Sequence, residues 1–372
     1  MRTRAPAFQD ELVASLRTDS LQLILLPTEQ CNFRCLYCYE DFLIGRMRPE
    51  IVQGVRHLID KRVTDLRHLA VTWFGGEPLL ARPVIEEISE HILARVADRP
   101  GLVYTGGMTT NGYLLDPPTV GRLAALGVRD CQISLDGPEE FHDSTRVRAD
   151  GRGSFERIWR NLGLIRDGSE PVNVVLRLHL TMANLPVMPE FLIRIRDTFL
   201  DDPRFTVQLK PVERLGGPND PDLEILSGPA RYKAIAELQR LLTGDQPPAA
   251  SSEVCYAARP NSLMIRANGL VGKCTVALAD PANIIGRLLP DGSLELDNAR
   301  LRPWLRGWES GDWAELGCPA AGMPQAPPLL QIRSPGADTL SPSGTALEAA
   351  PGPGRSRPEV AEPAASLPGS PP

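Results

Sequence analysis

The sequence predicts an α/β fold built on a parallel sheet. Short apolar, β-type runs alternate with helical patterns between about residues 20 and 220, and six strands separated by helices imply parallel βαβ units. At 372 residues the chain has room for one large domain and a smaller one. Beyond residue 319 the sequence turns into a Pro, Ala, Ser and Gly tract that cannot bury enough apolar area to offset ordering entropy.

In chain order, strands are expected over 21–26, 69–74, 102–109, 130–135, 172–181 and 205–211. Helices are expected between them over 50–63, 83–96, 118–126, 155–165 and 188–199. A Gly-Asp-Gln-Pro-Pro run after Thr243 reads as a linker. Downstream, segments 262–267 and 270–276 flank Asn268-Gly269, the dipeptide that most favours a two-residue hairpin turn, with Cys274 on the second strand. The expected organisation is an N-terminal extension (1–19), a core (20–243), a linker (244–254), a second region (255–318) and a disordered tail (319–372).

Formal net charge is −6, which favours neither nucleic acid nor an anionic membrane as partner. No run of about 18 apolar residues is present for a membrane span, and the N-terminus has no signal-peptide core. Seven cysteines, an odd number grouped in a ligand-like pattern, point to a reducing, cytoplasmic setting rather than a disulfide framework.

Three of them carry the chemistry. Cys31, Cys35 and Cys38 form C-x3-C-x2-C directly after the first apolar run. Three soft ligands on one loop suit an iron–sulfur cluster, and the missing fourth protein ligand leaves one iron open to a small molecule. Structural zinc is the alternative, but it usually takes four protein ligands in paired half-sites. Gly75-Gly76-Glu77-Pro78 follows the second strand. Two glycines allow close backbone approach to a ligand, and a Glu there could accept from an ammonium group, though an ordinary tight turn uses the same residues. Thr109-Thr110-Asn111-Gly112 closes the third strand. Ser134-Leu135-Asp136-Gly137-Pro138 ends the fourth, with His142, Asp143 and Arg146 behind it. A hydroxyl and a planar guanidinium fork together suit a carboxylate.

The cysteine loop, with Tyr37 before its last cysteine, resembles the C-x3-C-x-aromatic-C signature of the radical S-adenosylmethionine (SAM) enzymes. That resemblance implies a partial (β/α)6 barrel with its chemistry at the C-terminal strand ends. It also implies a [4Fe–4S] cluster on the three cysteines and SAM chelating the fourth iron. One-electron cleavage of SAM would then yield a 5′-deoxyadenosyl radical that takes a hydrogen atom from substrate. Gly75, Gly76 and Glu77 resemble the family's GGEP element for the SAM amino group, and Asn111 falls beside the SAM ribose. Ser134 and Arg146 match the SAM-binding pair of an S-x-D-G-P…H-D…R segment found in peptide-modifying members and sulfatase maturases. Asp136 and His142 are expected to be structural, and Cys131 a core residue.

Cys255 and Cys274, spaced C-x13-G-x4-C, resemble the opening of the SPASM and twitch domains, which ligate auxiliary [4Fe–4S] clusters. Cys318 falls where a full SPASM domain begins a further cysteine run, and none follows here. A truncated or frame-shifted C-terminus is the favoured explanation; a degenerate twitch-like domain and one that has lost its clusters are the others. SPASM-type relatives act on peptides or proteins, which implies a precursor peptide or protein as substrate and a reductase or flavodoxin-type electron donor. In the maturases an Asp directly follows the second hairpin cysteine; Thr275 stands there, and threonine is no general base near neutral pH. Formylglycine formation is therefore disfavoured relative to modification of a short peptide. Lys210, Glu213 and the 216–220 loop follow the sixth strand and could face substrate. A non-catalytic scaffold is the alternative from a different class.

Overall fold

The structure is a computed structural model that describes residues 6–243 and 254–323. Most of the linker expected over 244–254, and residues 324–372 of the expected tail, lie outside the described residues. In chain order the strands are β1 (Ser20–Leu25), β2 (Phe33–Cys35), β3 (His68–Trp73), β4 (Val103–Thr110), β5 (Val128–Leu135) and β6 (Arg146–Arg148). They continue with β7 (Asn173–Leu180), β8 (Phe205–Pro211), β9 (Ser262–Ile265), β10 (Leu270–Gly272), β11 (Gly286–Leu288) and β12 (Leu294–Leu296). The helices are α1 (Pro6–Ser15), α2 (Pro49–Val63), α3 (Arg82–Ala97), α4 (Pro117–Ala125) and α5 (Glu139–Thr145). After these come α6 (Phe155–Asp167), α7 (Met188–Phe199), α8 (Gly228–Thr243), α9 (Asn298–Ser310) and α10 (Trp313–Gly317).

The large helices start where local chemistry lets them. Proline occupies the first turn of α2, α3, α4 and α7, where its missing N–H costs no hydrogen bond. Asp116 caps α4 by accepting from the Thr119 backbone N–H. Each helix then buries one stripe against the sheet; on α2 it is Ile51, Val52, Val55, Leu58 and Ile59.

Six strands, in the order β1-β3-β4-β5-β7-β8, pair in parallel and form a partial barrel, as the alternating pattern predicts. Period-two alternation decides what each face does. On β7, Val174, Leu176, Leu178 and Leu180 are fully buried in one cluster with Phe191, Leu192 and Ile195 of α7. The intervening Val175, Arg177 and His179 are only partly buried. The core thus lies between sheet and helices, and the concave face is left for polar side chains.

Two expectations about the second region are corrected. The hairpin loop has three residues rather than two: Gly269 N–H donates to the Arg266 carbonyl, Arg266 N–H donates to the Leu270 carbonyl, and Gly269 adopts φ +83°. A left-handed glycine after a turn is the three-residue solution to reversing a hairpin. Its second strand also ends at Gly272, before Cys274, because the Asn283 side-chain oxygen captures the backbone N–H groups of both Lys273 and Cys274 (3.0 and 2.9 Å). The region adds to the barrel sheet: β9 pairs in parallel with β1, and β10, β11 and β12 continue outward antiparallel. The β1 edge, otherwise a row of open N–H and C=O groups, is thereby covered. At the other end of the expected second region, Arg306 donates to the carbonyls of Pro319 and Ala321 (2.6 and 2.7 Å), so the ordered fold runs past residue 318.

Candidate functional site

The cysteine loop leaves β1 and is held by a two-stranded ribbon. β2 pairs antiparallel with β6, so that Cys35 lies opposite Arg146 although they are far apart in sequence. Cys31, Cys35 and Cys38 are all free and partly buried. Burial pushes the Cys31 and Cys38 thiols up to about 12, and the thiols reinforce one another: Cys35 acts on both, and Cys38 acts on Cys31. Burial also raises Cys35, against the opposing charge of Arg146. A metal that binds here must displace protons. Among the described residues no three Cys, His, Asp or Glu side chains converge on a single metal ion. A cubane places each thiolate on a different iron, so its ligands need not converge in that way. The donor set, three thiols on a loop gripped from both sides, fits a [4Fe–4S] cluster short of one protein ligand.

The GGEP turn lies against this loop. Gly75 and Gly76 both have positive φ (85° and 51°), and a Cβ on Gly76 would run into the Gln30 carbonyl. Glu77 is fully buried and its carboxylate is already occupied. It accepts from the backbone N–H groups of Leu79 (3.0 Å) and Asn111 (2.7 Å) and from the Thr110 hydroxyl (2.8 Å), locking the ends of β3 and β4 together. The side chain expected to meet an ammonium group is thus spent inside the fold. Glu40, which sequence reasoning passed over, accepts from Gly76 N–H instead (2.8 Å), and burial raises its carboxyl to about 7. Asn111 donates to the Asn32 side chain within the cysteine loop (2.8 Å).

Tyr37 is the junction of the site. Its hydroxyl donates to Asp136 (2.9 Å) and receives a hydrogen bond from Arg146 Nη1 (2.8 Å); His179 Nδ1 stands 3.1 Å from it and 3.2 Å from Asp136. Asp136 also accepts from the Thr145 hydroxyl (2.6 Å); burial opposes its charge, but the His179 hydrogen bond and the nearby Arg146 help hold its carboxyl far below the usual range. Arg146 is buried, and its Nε has no hydrogen-bond partner. Ser134, also buried, is two residues from Gln132 on β5 and so shares its inward face. Burial depresses His142 to about 4; its Nε2 lies 3.1 Å from the Ser154 hydroxyl. That is the structural role expected of it. Cys131 is buried in the core, also as expected.

Inside the partial barrel lies a cavity of about 370 Å³. Inward-facing residues of all six strands line it, among them Gln22, Thr72, Thr109, Gln132, Arg177, His179 and Lys210, with Tyr37 and Tyr39 at the cysteine loop. Tyr256, Thr275 and Val276 of the C-terminal region complete the wall, and Tyr256 and Thr275 share a hydroxyl hydrogen bond of 2.7 Å. Lys210 and Glu213 do face the cavity, where they form an ion pair (2.5 Å). Arg177, His179, Tyr39 and Tyr256 were not singled out from sequence. The β-strand alternation marks the first two as inward-facing, but only the curvature of the sheet makes that face a cavity.

Cys255, Cys274 and Cys318 are brought within electrostatic reach of one another. The Cys255 thiol is raised by burial and then by Cys274 and Cys318. Its backbone N–H donates to Leu316, and Cys318 N–H donates to Ala314, both bonds 2.9 Å.

Residues 25–191 match the family described as the Radical SAM superfamily. The chain is 29% identical over 141 residues to the AdoMet-dependent heme synthase of Nitratidesulfovibrio vulgaris, covering 38% of this chain and 35% of that one. It is 32% identical over 167 residues to the GTP 3′,8-cyclase of Microcystis aeruginosa, covering 42% and 47%. With the serine-type anaerobic sulfatase-maturating enzyme of Klebsiella aerogenes the identity is 27% over 157 residues, covering 41% and 38%. The chain therefore spans less than half the length of each of these relatives. Among solved structures, native anSMEcpe with bound AdoMet and the Cp18Cys peptide superposes with a TM-score of 0.58 at 18% identity, covering 76% of this chain and 80% of that one. Streptococcus suis SuiB bound to precursor peptide SuiA gives 0.54 at 13%, covering 81% and 69%. At such identities the likeness is one of fold.

Proposed function

We propose that this chain, whose residues 25–191 match the Radical SAM superfamily, is a radical SAM enzyme that modifies a side chain of a peptide or protein substrate. The observation that carries the reading is the cavity, walled by all six barrel strands, with the cysteine loop's Tyr37 and Tyr39 and the C-terminal region's Tyr256 and Thr275 among its lining residues. A side chain entering it would lie beside the loop. Bound together, the cluster and SAM supply a one-electron cleavage that delivers a 5′-deoxyadenosyl radical for hydrogen-atom abstraction.

The chain's own residues do the rest. Cys31, Cys35 and Cys38 hold the cluster. The open backbone of Gly75 and Gly76 and the Ser134 hydroxyl present polar groups to SAM. Arg146, with its Nε unpaired, offers part of its fork to the SAM carboxylate or ribose, while the Tyr37–Asp136–His179 group fixes its position. Cys255, Cys274 and Cys318 are the residues an auxiliary cluster would use, but with no further cysteine after Cys318 one cluster per chain is the reading proposed. A reductase or flavodoxin-type donor would supply the electron. The peptide reading is supported by the fold shared with two proteins solved with peptides bound. Formylglycine formation is disfavoured because Thr275, tied to Tyr256, offers no base.

The test is anaerobic reconstitution followed by 5′-deoxyadenosine assay with and without a short candidate peptide. SAM cleavage and a mass shift on that peptide are expected, with cleavage abolished in a Cys31/Cys35/Cys38→Ala variant. Arg146→Lys should weaken SAM binding about tenfold while the cluster absorbance persists. Turnover elicited by a porphyrin or a nucleotide instead of any peptide would overturn the substrate class.

A further inference from the structure

We infer that the barrel cavity is a carboxylate receptor, with Arg177 as its anchor, and that the substrate presents a carboxylate (an acidic side chain or a chain end) to it. The inference rests on the reading of this cavity as the substrate site.

Arg177 is on the concave face of β7, in register with Ser134 on β5. It lines the cavity, and its Nε is buried without a hydrogen-bond partner. Guanidinium groups removed from water are normally paired, because an unpaired buried charge is costly. The carboxylate on the same wall does not pair with it. Glu213 is committed to Lys210 at 2.5 Å and to Arg231 at 2.8 Å, and acts on Arg177 only over a longer distance. The other close groups are Tyr37 and Tyr39, whose hydroxyls burial keeps protonated, and Arg146, a like charge that offers no compensation. A planar donor fork therefore faces a cavity of about 370 Å³ with its charge uncompensated.

Charge and geometry narrow the ligand. With Lys210 neutralised by Glu213, the lumen offers about one net positive charge, which matches a carboxylate better than a doubly charged phosphate. Arg177 is also distinct from the arginine assigned to SAM: Arg146 is bonded to Tyr37 beside Cys35 and does not line the cavity. Gln22, Gln132, Thr72 and Thr109 are spread round the same lumen and supply neutral donors and acceptors for the amide that would accompany such a carboxylate.

The experiment uses reconstituted holoenzyme saturated with SAM and no reductant, so that binding is read without turnover. N-acetylglutamate and its neutral isostere N-acetylglutamine, each as the α-N-methylamide so that the glutamate side chain carries the sole charge, are titrated calorimetrically, with inorganic phosphate as a third probe. Saturable binding of N-acetylglutamate is expected, at least about tenfold tighter than N-acetylglutamine or phosphate, and weakened about tenfold or more by Arg177→Gln. Arg177→Lys should recover part of it, since charge returns without the fork. Ligand-free Arg177→Gln should melt no lower than the parent, because an unpaired buried charge has been removed; a structural arginine would lower the melting temperature. Equal binding of the two isosteres, or N-acetylglutamate binding indifferent to Arg177→Gln, would overturn the proposal. So would N-acetylglutamate displacing SAM while Arg177→Gln weakens SAM itself, since Arg177 would then serve the cofactor, and so would phosphate binding more tightly than N-acetylglutamate. Carboxylate binding in an enzyme that modifies no peptide would leave this inference standing and remove the peptide reading.

Discussion

At Tyr37 one hydroxyl joins the cysteine loop to the barrel wall, taking a hydrogen bond from Arg146 and giving one to Asp136. Arg146 is oriented by a group that carries no charge, so its own charge stays available to a ligand. His142 illustrates the opposite use of burial. It is fully enclosed and depressed to about 4, so it stays neutral in the folded protein, whereas an unfolded chain would take up a proton near pH 6.5. Its stabilising contribution is complete above pH 6.5 and is lost as pH falls toward 4, at about 1.4 kcal/mol per unit. Glu40 has the opposite slope, because a carboxyl raised to about 7 loses stability as pH rises from about 4.5. Unfolding should therefore be followed for the parent and His142→Asn side by side. The difference between the two profiles should grow by about 3 kcal/mol between pH 4 and 6.5. A flat difference would mean that His142 is protonated in the fold.

Between elements, a largely buried clamp is the ion pair of Glu29 with Arg266. Glu29 precedes the cysteine loop and Arg266 opens the β9–β10 turn; their side chains are 2% and 11% exposed, and the closest contact is 2.5 Å. Arg266 also donates to the Leu278 carbonyl at 2.9 Å. The pair fastens the cluster loop to the C-terminal strands, so damage on either side is felt on the other. Glu29→Gln should cost about 3 kcal/mol, because it leaves a largely buried guanidinium without its counter-charge. The doubly substituted Glu29→Gln/Arg266→Met protein should recover part of that loss. Chemical denaturation of the three proteins measures it, and additive losses would show that the two residues act independently. The β2–β6 ribbon has a comparable role at shorter range, since it alone sets Cys35 opposite Arg146.

Across the whole molecule, the C-terminal strands extend the barrel sheet, and the N-terminal helix docks onto the start of the C-terminal region through Glu11, which accepts from Val254 N–H at 2.7 Å. The described fold continues beyond the last cysteine, because Arg306 holds the carbonyls of Pro319 and Ala321. A chain ending at Met323 should therefore be more stable than one ending at Cys318, by on the order of 2 kcal/mol for two charge-assisted hydrogen bonds. Thermal melts of the two truncations decide this, and equal melting temperatures would remove Arg306 from the account. Iron content reports on the second cysteine set. Reconstituted protein should hold about four irons per chain, the content of one [4Fe–4S] cluster, and Cys255→Ala should leave that number unchanged. A value near eight that falls with Cys255→Ala would assign an auxiliary cluster to Cys255, Cys274 and Cys318.

The sequence by itself determined the six parallel strands, the helices between them and the three-cysteine loop, because each is written in local periodicity or spacing. β8 and α7 occupy the predicted residues, and the other predicted barrel elements shift by only one or two residues at their ends. Ser134 and Arg146 were singled out through a motif that sets them twelve positions apart. Tertiary structure alone decided that Glu77 is consumed by Thr110 and Asn111, that Asn283 ends the hairpin strand before Cys274, and that β9 joins β1. It alone turned Arg177 and His179 from alternating strand residues into the wall of a cavity. The reason is physical: alternation says which side chains share a face, but whether that face is core, solvent or cavity depends on how the sheet curves and what covers its edge.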